Sequence, residues 1–150
     1  MLIFLFTINV NAQIEIRPYE QIAIDYFANE IITSYTDLKY FILKRNLEAT
    51  SSVHYSFCMP LKEVSNYKAI NTTKINPPYP QVIEKLSFFK KLFTSKKKIG
   101  NLHVFKYYPK DSNIIVVIFL SRKYIDDYYS ILIVKKSKKV IDYCKETYYE

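Results

Sequence analysis

Two histidines, two cysteines and fourteen acids are what this 150-residue chain offers to conventional catalysis. His54 and Cys58 form its close His/Cys pair, and an imidazole beside a thiol can raise a thiolate nucleophile or share a metal. The residues around them argue against both uses. Val53, Tyr55, Phe57 and Met59 alternate with His54, Ser56 and Cys58, the period-two pattern of a half-buried strand. Positions 54 and 58 of a strand share a face but stand about 13 Å apart, several times ligand or hydrogen-bond distance. A Cys58 nucleophile served by the distant His103 needs the fold to bring the two together. Asp126 and Asp127 are the adjacent acidic pair, yet strand neighbours point to opposite faces, so they make no ready carboxylate dyad. In a turn expected over residues 123–127 they read as solvated charge. Asp142, Glu30, Glu63 and Glu84 have no paired spacing. No catalytic residue, metal ligand set or cofactor is assigned.

Glycine narrows the choice further. Phosphate cradles, dinucleotide fingerprints and nucleophile elbows need several glycines, and the chain has Gly100 alone. The net charge of +8 would ordinarily point to an anionic partner. Here 19 Lys, 20 Ile, 15 Tyr and 9 Asn accompany only 5 Ala and 3 Arg, the residue choice of an AT-rich genome. Base bias therefore accounts for much of the charge. Nucleic acid is disfavoured as a partner, because Arg supplies the bidentate fork and only Arg17, Arg45 and Arg122 are present.

One basic segment keeps its interest. Val82, Leu86, Phe89 and Phe93 recur at helical spacing, and Lys90, Lys91, Lys96, Lys97 and Lys98 are interleaved with them or follow them. A basic helix over 82–98 could lie on an anionic polymer or membrane surface through those lysines. The plainer expectation is a core helix, with Phe89 and Phe93 inward and the lysines solvated. Lys135–Lys139 reads as a solvated hairpin tip.

Met1–Val10 is apolar and ends in Val10-Asn11-Ala12, a small-residue pattern of the kind signal peptidase reads. Residues 1–12 are expected to be the tail of a signal peptide cleaved near Ala12, and residues 13–150 a single domain. Export, periplasmic or extracellular, would place Cys58 and Cys144 in an oxidising compartment, where they could form one bridge; two separate buried thiols are the alternative. Asn71-Thr72-Thr73 is a formal glycosylation sequon.

The elements that must position these groups follow from periodicity. Ile24, Phe27, Ile31, Tyr35, Leu38 and Ile42 mark one face of a long helix opening at Pro18, secure to Tyr35; Lys39–Leu43 continues it or begins a strand. Residues 61–80 read as a long surface connection. After the second helix, Gly100 is expected to cap it in a left-handed conformation. Strands then follow at 102–108, 113–122, 128–134 and 140–149, with a turn at 109–112. Ile114–Leu120 is apolar without a break, so its strand should be central and covered on both faces.

The expected fold class is α+β, a long N-terminal amphipathic helix and a second helix packed on an antiparallel β-meander. In element order over residues 18–149 this resembles the cystatin-like and NTF2-like rolls, an architecture that hosts enzymes, carriers and inhibitors alike. Without a catalytic constellation, the expected function is a small exported binding domain. It would present a Tyr-rich sheet surface or apolar pocket to a protein or small ligand. The alternatives are the anionic-surface binder above and an enzyme with a cleft between helix and sheet.

Overall fold

The computed structural model describes residues 18–44, 75–105 and 107–149. The expected signal-peptide tail 1–12, the strand at 53–59 with His54 and Cys58, the Asn71 sequon and most of the 61–80 connection lie outside those residues. The described part is α+β. Its elements are α1 (Tyr19–Tyr26), β1 (Tyr40–Leu43), β2 (Val82–Ile83), α2 (Phe88–Phe93), β3 (Ile99–Val104), β4 (Tyr108–Lys110), β5 (Asn113–Arg122), β6 (Ile125–Val134) and β7 (Val140–Tyr149). The seven strands form one sheet in the order β2-β1-β3-β5-β6-β7, with β4 also paired to β5.

From β3 onward all pairing is antiparallel, and β5, β6 and β7 run side by side over ten residues each. The apolar run sits at the centre, as its composition requires. Ile114, Val116, Ile118 and Leu120 face the main core, while Ile115 and Val117 join a smaller cluster with Phe105 on the opposite face. At roughly 1.5–3 kcal/mol for each fully buried aliphatic side chain, these two clusters are the principal source of cohesion. The sheet differs from a pure meander at its other edge. There β1 pairs parallel with both β2 and β3, aligning Phe41 with Val82 and with Gly100.

The first helix is not one long α-helix, although its backbone stays helical from Tyr19 to Ser34. Its α-helical part has eight residues, followed by a widened π turn at Phe27–Ile31 and a tight 3₁₀ turn at Ile32–Ser34. The apolar face is still correct as far as it runs, because Ile24, Phe27, Ile31 and Tyr35 are all buried against the sheet. Local hydrogen bonding accompanies the end of the helical run. Ser34 Oγ donates to the Ile31 carbonyl at 2.7 Å and Thr33 Oγ1 to the Glu30 carbonyl at 3.4 Å, offering the chain end an alternative to further helix. The chain then turns and enters β1. Within α1, Gln21 grips the Asn76 backbone, donating to its carbonyl at 2.9 Å and accepting from its N–H at 2.7 Å.

The second helix is also corrected. Val82–Ile83 is a strand, and α2 keeps six residues before a 3₁₀ turn at Lys96–Lys98. Gly100 caps nothing. It lies inside β3, and no glycine has positive φ. Its role is clearance, since a Cβ there would stand 2.6 Å from Leu120 Cδ1 and 3.1 Å from Leu38 Cδ1. The left-handed positions fall instead on Asp111, Tyr124 and Lys138, in the turns between strands.

Candidate functional site

Charge and exposed apolar surface meet around α2. Val82 and Leu86 are buried, as their spacing predicts, but the aromatic residues beyond them are not. Phe88, Phe89, Leu92 and Phe93 are 75%, 73%, 66% and 82% exposed, which reverses the expected core helix. The reason lies in pairing. Val82 is held by β1 as a strand residue, so the periodicity running 82–86–89–93 is cut before it can orient a helix. What remains is a six-residue helix that begins two residues after the buried Leu86. Lys90 reaches back, its Nζ 5.8 Å from the centre of the Tyr40 ring in β1. Phe88 and Phe89 meet edge to face at 5.9 Å. Thr94 Oγ1 donates to the Lys90 carbonyl at 2.6 Å, and Ser95 Oγ accepts from the Lys97 N–H at 3.4 Å, turning the chain into the lysine triplet.

Beside α2 lies a cleft of about 520 Å³ on the sheet face opposite α1. Its floor comes from alternate residues of three strands, Ile42 from β1, Ile99 and Asn101 from β3, and Ser121 from β5. Its walls are basic, with Lys85, Lys91 and Lys96 on the α2 side and Lys123 at the far end. Of the lysines expected to form an anion patch, the structure thus brings Lys91 and Lys96 to the cleft and places Lys90 on Tyr40; Lys97 and Lys98 are exposed beyond it.

Behind the cleft, and unanticipated from sequence, is a buried polar cluster centred on Asp127. The turn expected over 123–127 closes at Lys123–Tyr124, so Asp127 belongs to β6, pairs with Leu120 and is 0% exposed. It accepts four bonds. Tyr35 Oη and Arg122 Nη2 donate to Oδ2 at 2.6 Å each, Thr147 Oγ1 donates to Oδ1 at 2.6 Å, and Lys145 Nζ lies 3.2 Å from Oδ1. Tyr35 Oη also bonds Tyr129 Oη. The guanidinium of Arg122 lies 5.0 Å from the Tyr35 ring centre, and Lys145 Nζ 5.1 Å from it. Burial works to raise the Asp127 carboxyl pKa. The hydrogen bonds from Thr147 and Tyr35 and the charges of Lys145 and Arg122 together outweigh it and hold the value below the ordinary one. Burial pushes the Tyr129 hydroxyl up to about 12, and burial with the bond to Asp127 pushes Tyr35 higher still. Near neutral pH the carboxylate stays ionised and both phenols protonated. This arrangement anchors the end of the α1 segment to the sheet and orients Arg122. One sequence signal pointed to it, since position 127 shares its parity with the core residues Tyr129, Ile131 and Ile133.

The remaining sequence candidates are dispersed. His103 lies on the cleft side of the sheet but packs 5.4 Å from Phe119, which stacks on Tyr128 at 4.6 Å. Burial, and secondarily the charge of Lys44, lowers the His103 pKa to about 4. Cys144 packs against the Phe105 cluster from β7, and no cysteine among the described residues is free. The tyrosines divide between the faces: Tyr129 is buried under α1, Tyr143 packs on Tyr26 at 5.9 Å, and Tyr128 meets Tyr148 on the other side at 5.6 Å. Among the described residues no three His, Cys, Asp or Glu side chains gather as a metal site, and no helix is long and apolar enough to cross a membrane. Comparison with protein-family models, with curated proteins and with solved structures finds no match to this chain.

Proposed function

We propose that this chain is a small exported binding domain that docks on an anionic membrane surface through residues 87–98. The observation that carries this reading is the outward face of α2, where four large apolar side chains stand mostly exposed on six residues. Soluble surfaces rarely hold such a contiguous patch without a partner. Lysines flank it on both sides, which fits a surface that is apolar below and negatively charged at its boundary. An amphipathic element of this size lies in the interface and does not span it. Each lysine near anionic headgroups adds about 1 kcal/mol, and each phenyl ring entering the acyl boundary adds roughly 1–2 kcal/mol.

Flotation with vesicles tests the reading. Binding is expected to vesicles containing about a third phosphatidylglycerol and not to pure phosphatidylcholine, weakening as salt rises past the range where surface charge is screened. Phe89→Ser with Phe93→Ser should reduce binding at least tenfold. Equal binding to neutral and anionic vesicles, or none to either, would sink the proposal. Export after cleavage near Ala12 and a Cys58–Cys144 bridge belong to the same proposal, supported by the apolar N-terminal pattern and the cysteine pair. The finer likeness to cystatin-like and NTF2-like rolls is supported by element order alone, and the docking role does not depend on it.

A further inference from the structure

The cleft beside α2 has the chemistry of a site in its own right. Lys85, Lys91, Lys96 and Lys123 converge on it, and among the described residues none of the four has a carboxylate ion-pair partner. The acid in its lining, Glu84, is already engaged, and Arg122 is committed to Asp127 and, at 3.8 Å, to Asp37. Lys123 Nζ rests 4.6 Å from the centre of the Tyr124 ring, and the four side chains together give the lining of one concavity an excess of positive charge that an anion would neutralise. Asn101 and Ser121, paired across β3 and β5, put an amide and a hydroxyl on the floor between them.

Geometry and residue type narrow the anion. At about 520 Å³ the cleft is the size of a small-molecule site and too confined for a polymer groove. Lysines are point charges on flexible stems, suited to a compact, multiply charged group approached from several sides. A planar carboxylate is better met by the Arg fork. An amide and a hydroxyl at the base can hydrogen-bond the remaining oxygens or a neighbouring hydroxyl. Ile42 and Ile99 leave room for a short carbon skeleton.

We propose that this cleft binds a phosphate monoester on a headgroup-sized body, gripped by Lys85, Lys91, Lys96 and Lys123. The source is either a soluble phosphate ester or a lipid headgroup presented at the membrane. The second source rests on the docking role proposed above, because α2 is at once the wall of the cleft and the element that would meet the bilayer.

Calorimetry on the full chain with glycerol 3-phosphate, together with flotation on phosphatidic acid and phosphatidylglycerol vesicles of matched charge, separates the sources. Saturable glycerol 3-phosphate binding, resistant to equimolar sulfate, is expected. So is at least a tenfold preference for phosphatidic acid vesicles if the lipid is the ligand. Ser121→Phe fills the floor without changing charge and should abolish both. Lys123→Glu, outside the docking element, should weaken both at least tenfold while leaving docking on phosphatidylglycerol within threefold. Each variant is compared by urea midpoint with the parent. Absence of both glycerol 3-phosphate binding and phosphatidic acid preference, or persistence of either at parental strength in folded Ser121→Phe, overturns the cleft assignment whatever docking does. Binding of glycerol 3-phosphate by a chain that ignores all vesicles upholds the cleft and removes the docking role.

Discussion

Acid should destabilise this protein through His103, and the size of the effect follows from its surroundings. The imidazole packs between strand neighbours against Phe119, and its Nδ1 is buried with no hydrogen-bond partner. Folding holds its pKa at about 4, against 6.5 ordinarily, first by burial and then by the charge of Lys44. Between those values the unfolded chain binds a proton that the folded chain refuses. Stability from this group is therefore fully present above about pH 6.5 and is lost as pH falls toward 4, by at most about 1.4 kcal/mol per pH unit. Across the whole interval that slope amounts to roughly 3 kcal/mol, and partial exposure of the ring trims it to about 2 kcal/mol.

His103→Phe removes the titrating group while keeping a ring to lie on Phe119, and it removes the unpaired buried nitrogen. Urea unfolding followed by far-ultraviolet circular dichroism at pH 7, 6, 5 and 4.5 gives the stability of both proteins. The advantage of the variant over the parent should widen by about 2 kcal/mol between the highest and lowest pH. Taking the difference cancels His54 and the carboxylates, which both proteins share. His103→Gln, polar and without charge at any of these pH values, should show the same widening without the gain at pH 7. Parallel pH profiles for parent and variants would show that His103 is not the group responsible, as would an imidazole that titrates near 6.5 by NMR in the folded state.

The remaining expectations concern the core. Gly100→Ala should cost about 1–2 kcal/mol, read as a lowered urea midpoint, because the new Cβ would lie 2.6 Å from Leu120 Cδ1 in a fully buried side chain; an unchanged or raised midpoint would show that the strand closes over the extra methyl. Asp127→Asn should cost about 3–5 kcal/mol, since it leaves the buried end of Arg122 without its anion, and Tyr35→Phe about 1–3 kcal/mol by orphaning acceptors on Asp127 and Tyr129. The Asp127 pKa is depressed in the fold, so its contribution is present above about pH 4 and lost as pH falls through the lowered value. A parent and Asp127→Asn pair with equal stability at pH 7 would contradict the ion-pair account.

Much of the sheet was legible because its signals are local. The unbroken apolar run 114–120 implied a strand covered on both sides, and the lysine-rich tip between 134 and 140 implied a hairpin joining the last two strands, the first of which pairs with that central strand. The buried face of the first helix was readable for the same reason, and only its length was overestimated. What escaped depends on partners far away in sequence. A two-residue strand at Val82 exists because β1, some forty residues earlier, pairs with it. Asp127 is buried because donors arrive from positions 35, 122, 145 and 147, a convergence no local window contains. Gly100 reads equally as a cap or as a packing clearance, because both favour glycine, and only the position of Leu120 distinguishes them.

The same distinction decides what the lysines mean. Base composition can explain how many there are, but not which way α2 turns. A helix with this sequence on an apolar face would bury Phe89 and Phe93 and solvate Lys90 and Lys91. Here the cleft beside it is lined by Asn101, Ser121 and Lys123, with Ile42 and Ile99 as its apolar ground. That floor offers little seat for phenyl rings and a good one for lysine stems, whose methylenes can cover Ile42 and Ile99 while their ammonium groups face the cleft. The rings are left outside, and a cluster of exposed rings beside a cationic concavity is a costly arrangement in water alone. An anion in the cleft and an apolar boundary over the rings would relieve both costs at once. Placement, not abundance, therefore makes lysines 90–98 a functional candidate, and substitutions that alter placement at constant charge are its sharpest probe.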